Sequence, residues 1–314
     1  MNNQSYHTRP YRPGDEAAMI ALFAAVFGQT LTVAQWCWKY TGTGGEVPLA
    51  RLAFDAENCL VGHAGAIRLR GWRQGRPLPF FQICDVMVHP DARGQLGGRN
   101  LFARLLREFS SELAEQWPEG FAYGFPGLRP FRVGAYTQVY SEIEPAHRLE
   151  WPVTGHTAVP LLYFRPLLWN DQRLDRVWDR LAPNFALTLI RDRAYLQWRY
   201  ADNPFHAYTL LGLYFMGRLL GWAVVQPDHP RLRVVDLLIA RRWLKPALAA
   251  LTRHAAITGL GRVEIWLPGS WQNGVKQPSQ ATGIVTTQFR NWRGIPLNET
   301  ARDLYYTMGD LDIF

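Results

Sequence analysis

The residues whose types and spacing could do chemistry lie between Ile83 and Phe109. Ile83-Cys84-Asp85-Val86-Met87-Val88 has the pattern of a strand, His89-Pro90-Asp91 breaks it, and Arg93-Gly94-Gln95-Leu96-Gly97-Gly98-Arg99-Asn100 makes a glycine-rich, basic turn. Leu101 to Phe109 then carries apolar residues at helical spacing. A strand that feeds such a turn at the start of a helix presents unpaired backbone N–H groups at the positive end of a helix dipole. Phosphate and other anions bind readily in that arrangement.

Composition sets the frame for this element. The 314 residues are 48% hydrophobic and 19% charged, with 13 Trp and 13 Tyr, which describes globular chain with enough length for about two domains. No apolar run reaches the ~20 residues of a membrane span and Met1 to Pro13 is polar, so the expectation is a cytoplasmic protein without a membrane segment. Cys37, Cys59 and Cys84 are odd in number and match no metal-ligand spacing, so reduced thiols and no metal are expected. The net charge of +8 suits a polyanionic partner, but the arginines are scattered rather than gathered into a basic arm. A phosphorylated small molecule accounts for that bias more simply than nucleic acid does.

The elements around the turn follow from pattern. Arg9 to Asp15 reads as a short strand and turn, with Asp15 capping a helix from Glu16 to Phe27 that Gly28 stops. A second helix carries Trp36, Trp38 and Tyr40, aromatics that could line an acceptor pocket but at this spacing are more often core. Strands are expected at Leu49 to Asp55, Leu60 to Arg70 and Phe80 to Val88 as an antiparallel meander. The helix after the turn runs to about Trp117, and the strand Gly120 to Phe125 follows. Strand, helix and strand have the order of a right-handed βαβ unit, which would make 83–88 and 121–125 parallel neighbours. A strand near Gln138 to Ile143 leads into a proline-bearing stretch, and the domain boundary is placed there, giving residues 1–150 and 151–314. Asp310 and Asp312 read as turn residues near the C-terminus.

The halves resemble each other. Gln35-Trp36-Cys37-Trp38-Lys39-Tyr40 has a partner in Tyr195-Leu196-Gln197-Trp198-Arg199-Tyr200, and Asp85 in its strand has a partner in Asp236 within Val234-Val235-Asp236-Leu237-Leu238-Ile239. Each half continues with a helix and a strand that ends near Pro-Gly, at Pro126-Gly127 and Pro268-Gly269. Where the first half has the glycine-rich turn, the second has Ala240-Arg241-Arg242-Trp243-Leu244-Lys245-Pro246, with no glycine to admit an anion. One anion site per chain is expected, in the first half.

The opening Arg9-Pro10-Tyr11-Arg12-Pro13-Gly14-Asp15-Glu16, together with Val88-His89-Pro90-Asp91-Ala92-Arg93-Gly94-Gln95 running into Leu101 to Leu106, resembles the GNAT (Gcn5-related) N-acyltransferase family. The resemblance covers roughly residues 6 to 143, and the second half resembles a degenerate repeat. It implies an α/β (α+β) fold of two GNAT-like domains in tandem, each a mixed, mostly antiparallel sheet flanked by helices around a central βαβ unit. It implies transfer of an acetyl or other acyl group from acetyl-CoA to the amine of a small molecule or amino sugar. The pyrophosphate would rest on the turn at Gly94, Gln95, Leu96, Gly97, Gly98 and Asn100, with charge from Arg93 and Arg99. The pantetheine arm would pair along Val86-Met87-Val88 like an added strand. The family's first turn glycine falls on Leu96 here and its second on Gly98.

Acylation needs a neutral amine, so a group must take the amine's proton. Asp85 is the first candidate and Glu142 and Glu144 are weaker ones, although Asp85 could equally accept a structural hydrogen bond. A backbone N–H at Val88 could meet the oxyanion, and Tyr123, Tyr136 or Tyr140 could serve the departing thiolate. His63 has no partner in view. The competing reading is a non-catalytic acyl-CoA-binding or structural protein with this fold.

Overall fold

The computed structural model describes residues 6–42, 47–94, 100–154, 160–290 and 294–312. In chain order these form β1 (His7–Pro10), α1 (Glu16–Phe27), α2 (Val33–Thr41), β2 (Leu49–Phe54), β3 (Leu60–Arg73), β4 (Arg76–Val88), α3 (Leu101–Gln116), β5 (Phe121–Gly124) and α4 (Leu128–Tyr136). There follow β6 (Tyr140–Pro152), β7 (Leu162–Pro166), α5 (Arg173–Leu181), β8 (Leu187–Leu189), α6 (Arg193–Leu196), β9 (Thr209–Phe215), β10 (Arg218–Asp228) and β11 (Arg231–Leu238). Last come α7 (Leu244–Ile257), β12 (Arg262–Trp266), α8 (Gly269–Gln272), β13 (Ser279–Phe289) and α9 (Leu297–Asp303).

Local chemistry explains several boundaries. Thr32 and Gln35 cap α2 reciprocally, each side chain accepting from the other's backbone N–H. Gly28 ends α1 in the left-handed conformation. Asp15 does not cap α1 through its side chain as expected; its carboxylate is taken by both terminal nitrogens of Arg9 at 2.7 Å and by the Arg12 N–H. The tip of the β3–β4 hairpin places Gln74 and Gly75 at positive φ, the turn that matches strand twist.

The chain divides into two compact units. One comprises Met1–Arg70, Leu78–Ile143 and Val285–Leu297, the other Gly71–Pro77, Glu144–Ile284 and Asn298–Phe314. The division lies within β6, between Ile143 and Glu144, whereas the sequence placed the boundary at 150/151. Pro145 and Pro152 are accommodated in that strand instead of interrupting it.

In the first unit the strand order is β1-β2-β3-β4-β5-β13. β1/β2 and β2/β3 are antiparallel and β4/β5 parallel, with α3 as the crossover. The edge of β5 is completed from far along the chain, with Thr287 and Gln288 of β13 opposite Gly124 and Tyr123. The helix α3 buries Leu101, Leu105, Leu106, Phe109 and Leu113 against Val61, Phe81 and Ile83. A Cβ at Gly62 would lie 2.7 Å from Leu105, so glycine lets this helix sit close to the sheet. On the alternate face of β3, Gly65 makes room for the rings of His63 and Tyr40, since a Cβ there would lie 2.7 and 2.9 Å from them.

In the second unit β6 pairs β12 antiparallel, β12 pairs β11 in parallel, and β11, β10, β9 and β7 continue antiparallel. β8 pairs with Gly71–Arg73 at the end of β3. β9-β10-β11-α7-β12 therefore repeats the order and directions of β2-β3-β4-α3-β5. Among the described residues no helix is long and apolar enough to cross a membrane.

Candidate active site

The first βαβ unit opens at its C-terminal end. Parallel pairing of β4 with β5 runs from Phe80/Phe121 to Ile83/Gly124 and stops there, so the paired stretch is 80–83 and not the expected 83–88. The reason is local: Asp85 has φ of +46°, a left-handed conformation uncommon for a residue other than glycine, which breaks the strand's regular pleat. Val86, Met87 and Val88 lie beyond the last β5 partner, while β5 itself ends at Gly124 and the chain turns into α4 through Pro126. The two strands form a fork with Asp85 at its root.

Asp85 is the hub of a buried network. Its Oδ1 lies 2.8 Å from the Lys39 Nζ, and its Oδ2 accepts from the Tyr40 hydroxyl at 2.6 Å. The side chains of Lys39 and Asp85 are 9% and 7% exposed. Burial pushes the Asp85 carboxyl up, but the Lys39 ammonium and the two hydrogen bonds outweigh it and hold it below the ordinary carboxylate value. Burial and the neighbouring Asp85 push the Tyr40 phenol far above its ordinary value, so it remains a donor. The Asp85 carbonyl oxygen lies 2.6 Å from Nδ1 of the fully buried His63. The sequence offered one signal for this cluster: Lys39-Tyr40 and Asp85 recur together as Arg199-Tyr200 and Asp236. It offered none for His63.

At the open end of the fork, Arg93 turns back so that its Nε donates to the Val88 carbonyl at 2.9 Å. Gly94 has φ of +95°, with open space where a side chain would project. Asn100 caps α3 by accepting from the Ala103 N–H at 3.0 Å, and the first turn of this helix carries no acidic residue to oppose an anion. Gln95, Leu96, Gly97, Gly98 and Arg99 lie outside the described residues.

The phenols and acids expected near the chemistry are dispersed. Tyr123 is enclosed by Phe80, Phe121 and Phe125, stacked on Phe121 at 5.5 Å. Tyr136, the last residue of α4, is 82% exposed. Tyr140 is buried against Phe289 and Phe102, and burial pushes its phenol upward. Glu142 is exposed. Glu144 accepts from the Tyr306 hydroxyl at 2.8 Å and from the Gly269 N–H, both within the second unit.

The second unit has a fork of its own. Parallel pairing of β11 with β12 ends at Val234/Ile265, and Asp236 follows as Asp85 does in the first unit. This fork is filled by the chain. Asp236 accepts from Tyr200 Oη at 2.8 Å, Thr307 Oγ1 at 2.9 Å and Arg191 Nε at 3.0 Å, and Arg191 also pairs with Asp310. The Tyr305 hydroxyl donates to the Leu237 carbonyl at 2.5 Å, and Arg199 donates to the Gly309 carbonyl at 2.9 Å. Asp310 does sit in a single 3-10 turn, as its sequence setting suggested, but it is buried and ion-paired rather than a surface turn residue. Among the described residues no group of three or more His, Cys, Asp or Glu could hold a metal ion.

The sequence profile of the acetyltransferase (GNAT) domain matches residues 7–139. No curated protein matches the chain in sequence. Among solved structures, an Enterococcus faecalis protein described as a probable N-acyltransferase is 14% identical, with a TM-score of 0.69 over 90% of this chain and 72% of that one. A GCN5-related N-acetyltransferase from Kribbella flavida is 14% identical, with a TM-score of 0.67 over 95% and 74%. Saccharomyces cerevisiae N-myristoyltransferase with bound myristoyl-CoA is 11% identical, with a TM-score of 0.55 over 91% and 82%. At these identities the structures speak to the fold, and the profile speaks to the first half. Residues 7–139, which hold the open fork, are thus the part of the chain that is similar to the acetyltransferase (GNAT) domain.

Proposed function

We propose that the open fork of the first unit binds acyl-CoA, acetyl-CoA foremost, and that the protein transfers the acyl group directly to the amine of a small-molecule acceptor such as an amino sugar. The observation that carries this reading is the end of β4/β5 pairing at Ile83/Gly124, which leaves Val86–Val88 free of β5. An extended chain with amide groups can pair there as an added strand. Its pyrophosphate would lie at the start of α3, near Arg93, Gly94, Asn100 and the turn 95–99. A Val88 N–H would serve the carbonyl oxygen as charge develops on it.

Asp85 belongs to this reading as the charged anchor of the acceptor amine. Both of its oxygens already accept hydrogen bonds and its proton affinity is depressed, which suits holding an ammonium better than removing a proton. The departing thiol needs little help, since an ordinary thiol has a pKa of about 8.5. Tyr136, exposed at the end of α4, is the phenol of the expected set that solvent and a ligand can reach. The second unit is read as a degenerate repeat that takes up no coenzyme.

Calorimetry with acetyl-CoA should give one site per chain, and free-thiol release over a panel of amines and amino sugars should identify an acceptor. Asp85→Asn should raise KM for that acceptor at least tenfold with little change in acetyl-CoA affinity. Absence of acetyl-CoA binding would remove the reading. Tight binding with no thiol release from any amine would favour a non-catalytic acyl-CoA-binding protein.

A further inference from the structure

His63 is the one side chain in the Asp85 cluster whose chemistry is left unused. Its Nδ1 lies 2.6 Å from the carbonyl oxygen of Asp85, and a carbonyl oxygen can only accept. Nδ1 therefore carries the proton. The neutral ring then has a bare lone pair on Nε2, and this buried atom has no hydrogen-bond partner among the described residues. An orphaned buried acceptor is costly to keep, and such groups mark places where function sets the requirement. The ring is held in place from three sides. Tyr40 meets it edge-on at 6.0 Å, Gly65 leaves the room it needs, and Asp85, which it donates to, is the strained residue at the root of the fork.

We propose that His63 Nε2 is the proton acceptor of the acyl transfer. This rests on the reading of the open fork as an acyl-CoA site. The acceptor arrives as an ammonium and gives one proton to Nε2. The freed nitrogen pair forms the C–N bond to the thioester carbon as the C–S bond breaks. The second N–H proton leaves with the thiolate to give free thiol, and the imidazolium returns its proton to solvent. The titratable groups around the ring are Lys39 and Tyr40 from α2 and Asp85 from β4, with the Cys84 thiol against the Tyr40 hydroxyl. Burial, aided by the Lys39 charge, pushes the imidazole below its ordinary value against the pull of Asp85, so the ring is neutral at pH 7. Deprotonated His63 is thus the form present at neutral pH, and its loss on acidification should give the acid limb of the rate profile.

The test uses the full chain and two measurements. His63→Asn keeps an amide donor near the Nδ1 position and removes the Nε2 lone pair. It should hold acetyl-CoA affinity within about twofold, lower kcat for thiol release at least 100-fold and abolish the acid limb. Unchanged kcat and an unchanged acid limb would overturn the proposal. Nitrogen-15 NMR of the wild-type imidazole needs neither an acceptor nor a folded variant. It should find Nδ1 protonated and Nε2 bare at pH 7, and a proton on Nε2 would overturn the proposal by itself. Failure of the wild-type protein to bind acetyl-CoA would instead remove the underlying reading, so the two failures are distinguishable.

Discussion

The two forks begin from the same plan and end in opposite states. In each, a parallel strand pair stops, an aspartate follows, and a tyrosine from the preceding helical segment donates to that aspartate, Tyr40 at 2.6 Å and Tyr200 at 2.8 Å. In the first unit the strand feeds a glycine-bearing turn, and no chain segment among the described residues is seen to fill the fork. In the second the chain folds its own segment from Leu304 to Leu311 into the fork and locks it with Arg191, Arg199 and Asp310. The difference shows two uses of one architecture: in the second unit the fork is filled by protein, and its polar groups form a buried ionic core.

Arg191 is fully buried between Asp236 and Asp310, and Arg191→Leu should cost about 3–5 kcal/mol in denaturant unfolding because two carboxylates lose their shared partner. Gly309→Ala comes next. A side chain there would run into the Tyr200 hydroxyl, so a loss of about 1–3 kcal/mol is expected, with acetyl-CoA affinity unchanged. If that substitution altered coenzyme binding, the second fork would not be the inert copy described. In the first fork, Arg93→Ala with Arg99→Ala should weaken acetyl-CoA binding at least tenfold, about 1.4 kcal/mol, while leaving the unfolding midpoint nearly unchanged. The smallest effect is in acid. Burial, with Asp236 nearby, pushes the Asp310 carboxyl up to about 6 against the pull of Arg191. The native state therefore holds that proton longer than the unfolded chain does, and this contribution to stability is full below about pH 4 and lost as pH rises through about 6. Asp310→Asn should flatten that slope. Asp85 has the opposite sign, since its lowered value gives stability that is present at neutral pH and lost as pH falls through the acid range.

Much of the scaffold could be read from pattern, because periodicity reports which residues face a core. Residues 16–27 and 101–116 are helices and 49–54 and 121–124 are strands, close to where their spacing placed them. The helix Leu128–Tyr136 carried no such signal, since Pro130 and Gly134 punctuate it; Pro130 is tolerated in the first turn, and Gly134 makes way for the Tyr140 ring. The site was half legible. Asp85 and the basic turn stood out locally, but the meeting of Lys39 and Tyr40 with Asp85 spans 46 and 45 positions. His63 was opaque for the same reason: its role depends on a backbone carbonyl 22 residues away, and carbonyls leave no mark in a sequence.

The strand β13 gives the molecule a particular order of events during synthesis. The Thr287 hydroxyl and the Gly124 carbonyl that it reaches are 163 residues apart. The sheet carrying the open fork cannot gain this strand until the chain through Phe289 has left the ribosome. Until then β5 presents an unpaired edge, the kind of surface that invites pairing with other chains. The first unit is thus finished by a strand from far along the chain, and premature termination anywhere before residue 285 leaves it without its closing strand.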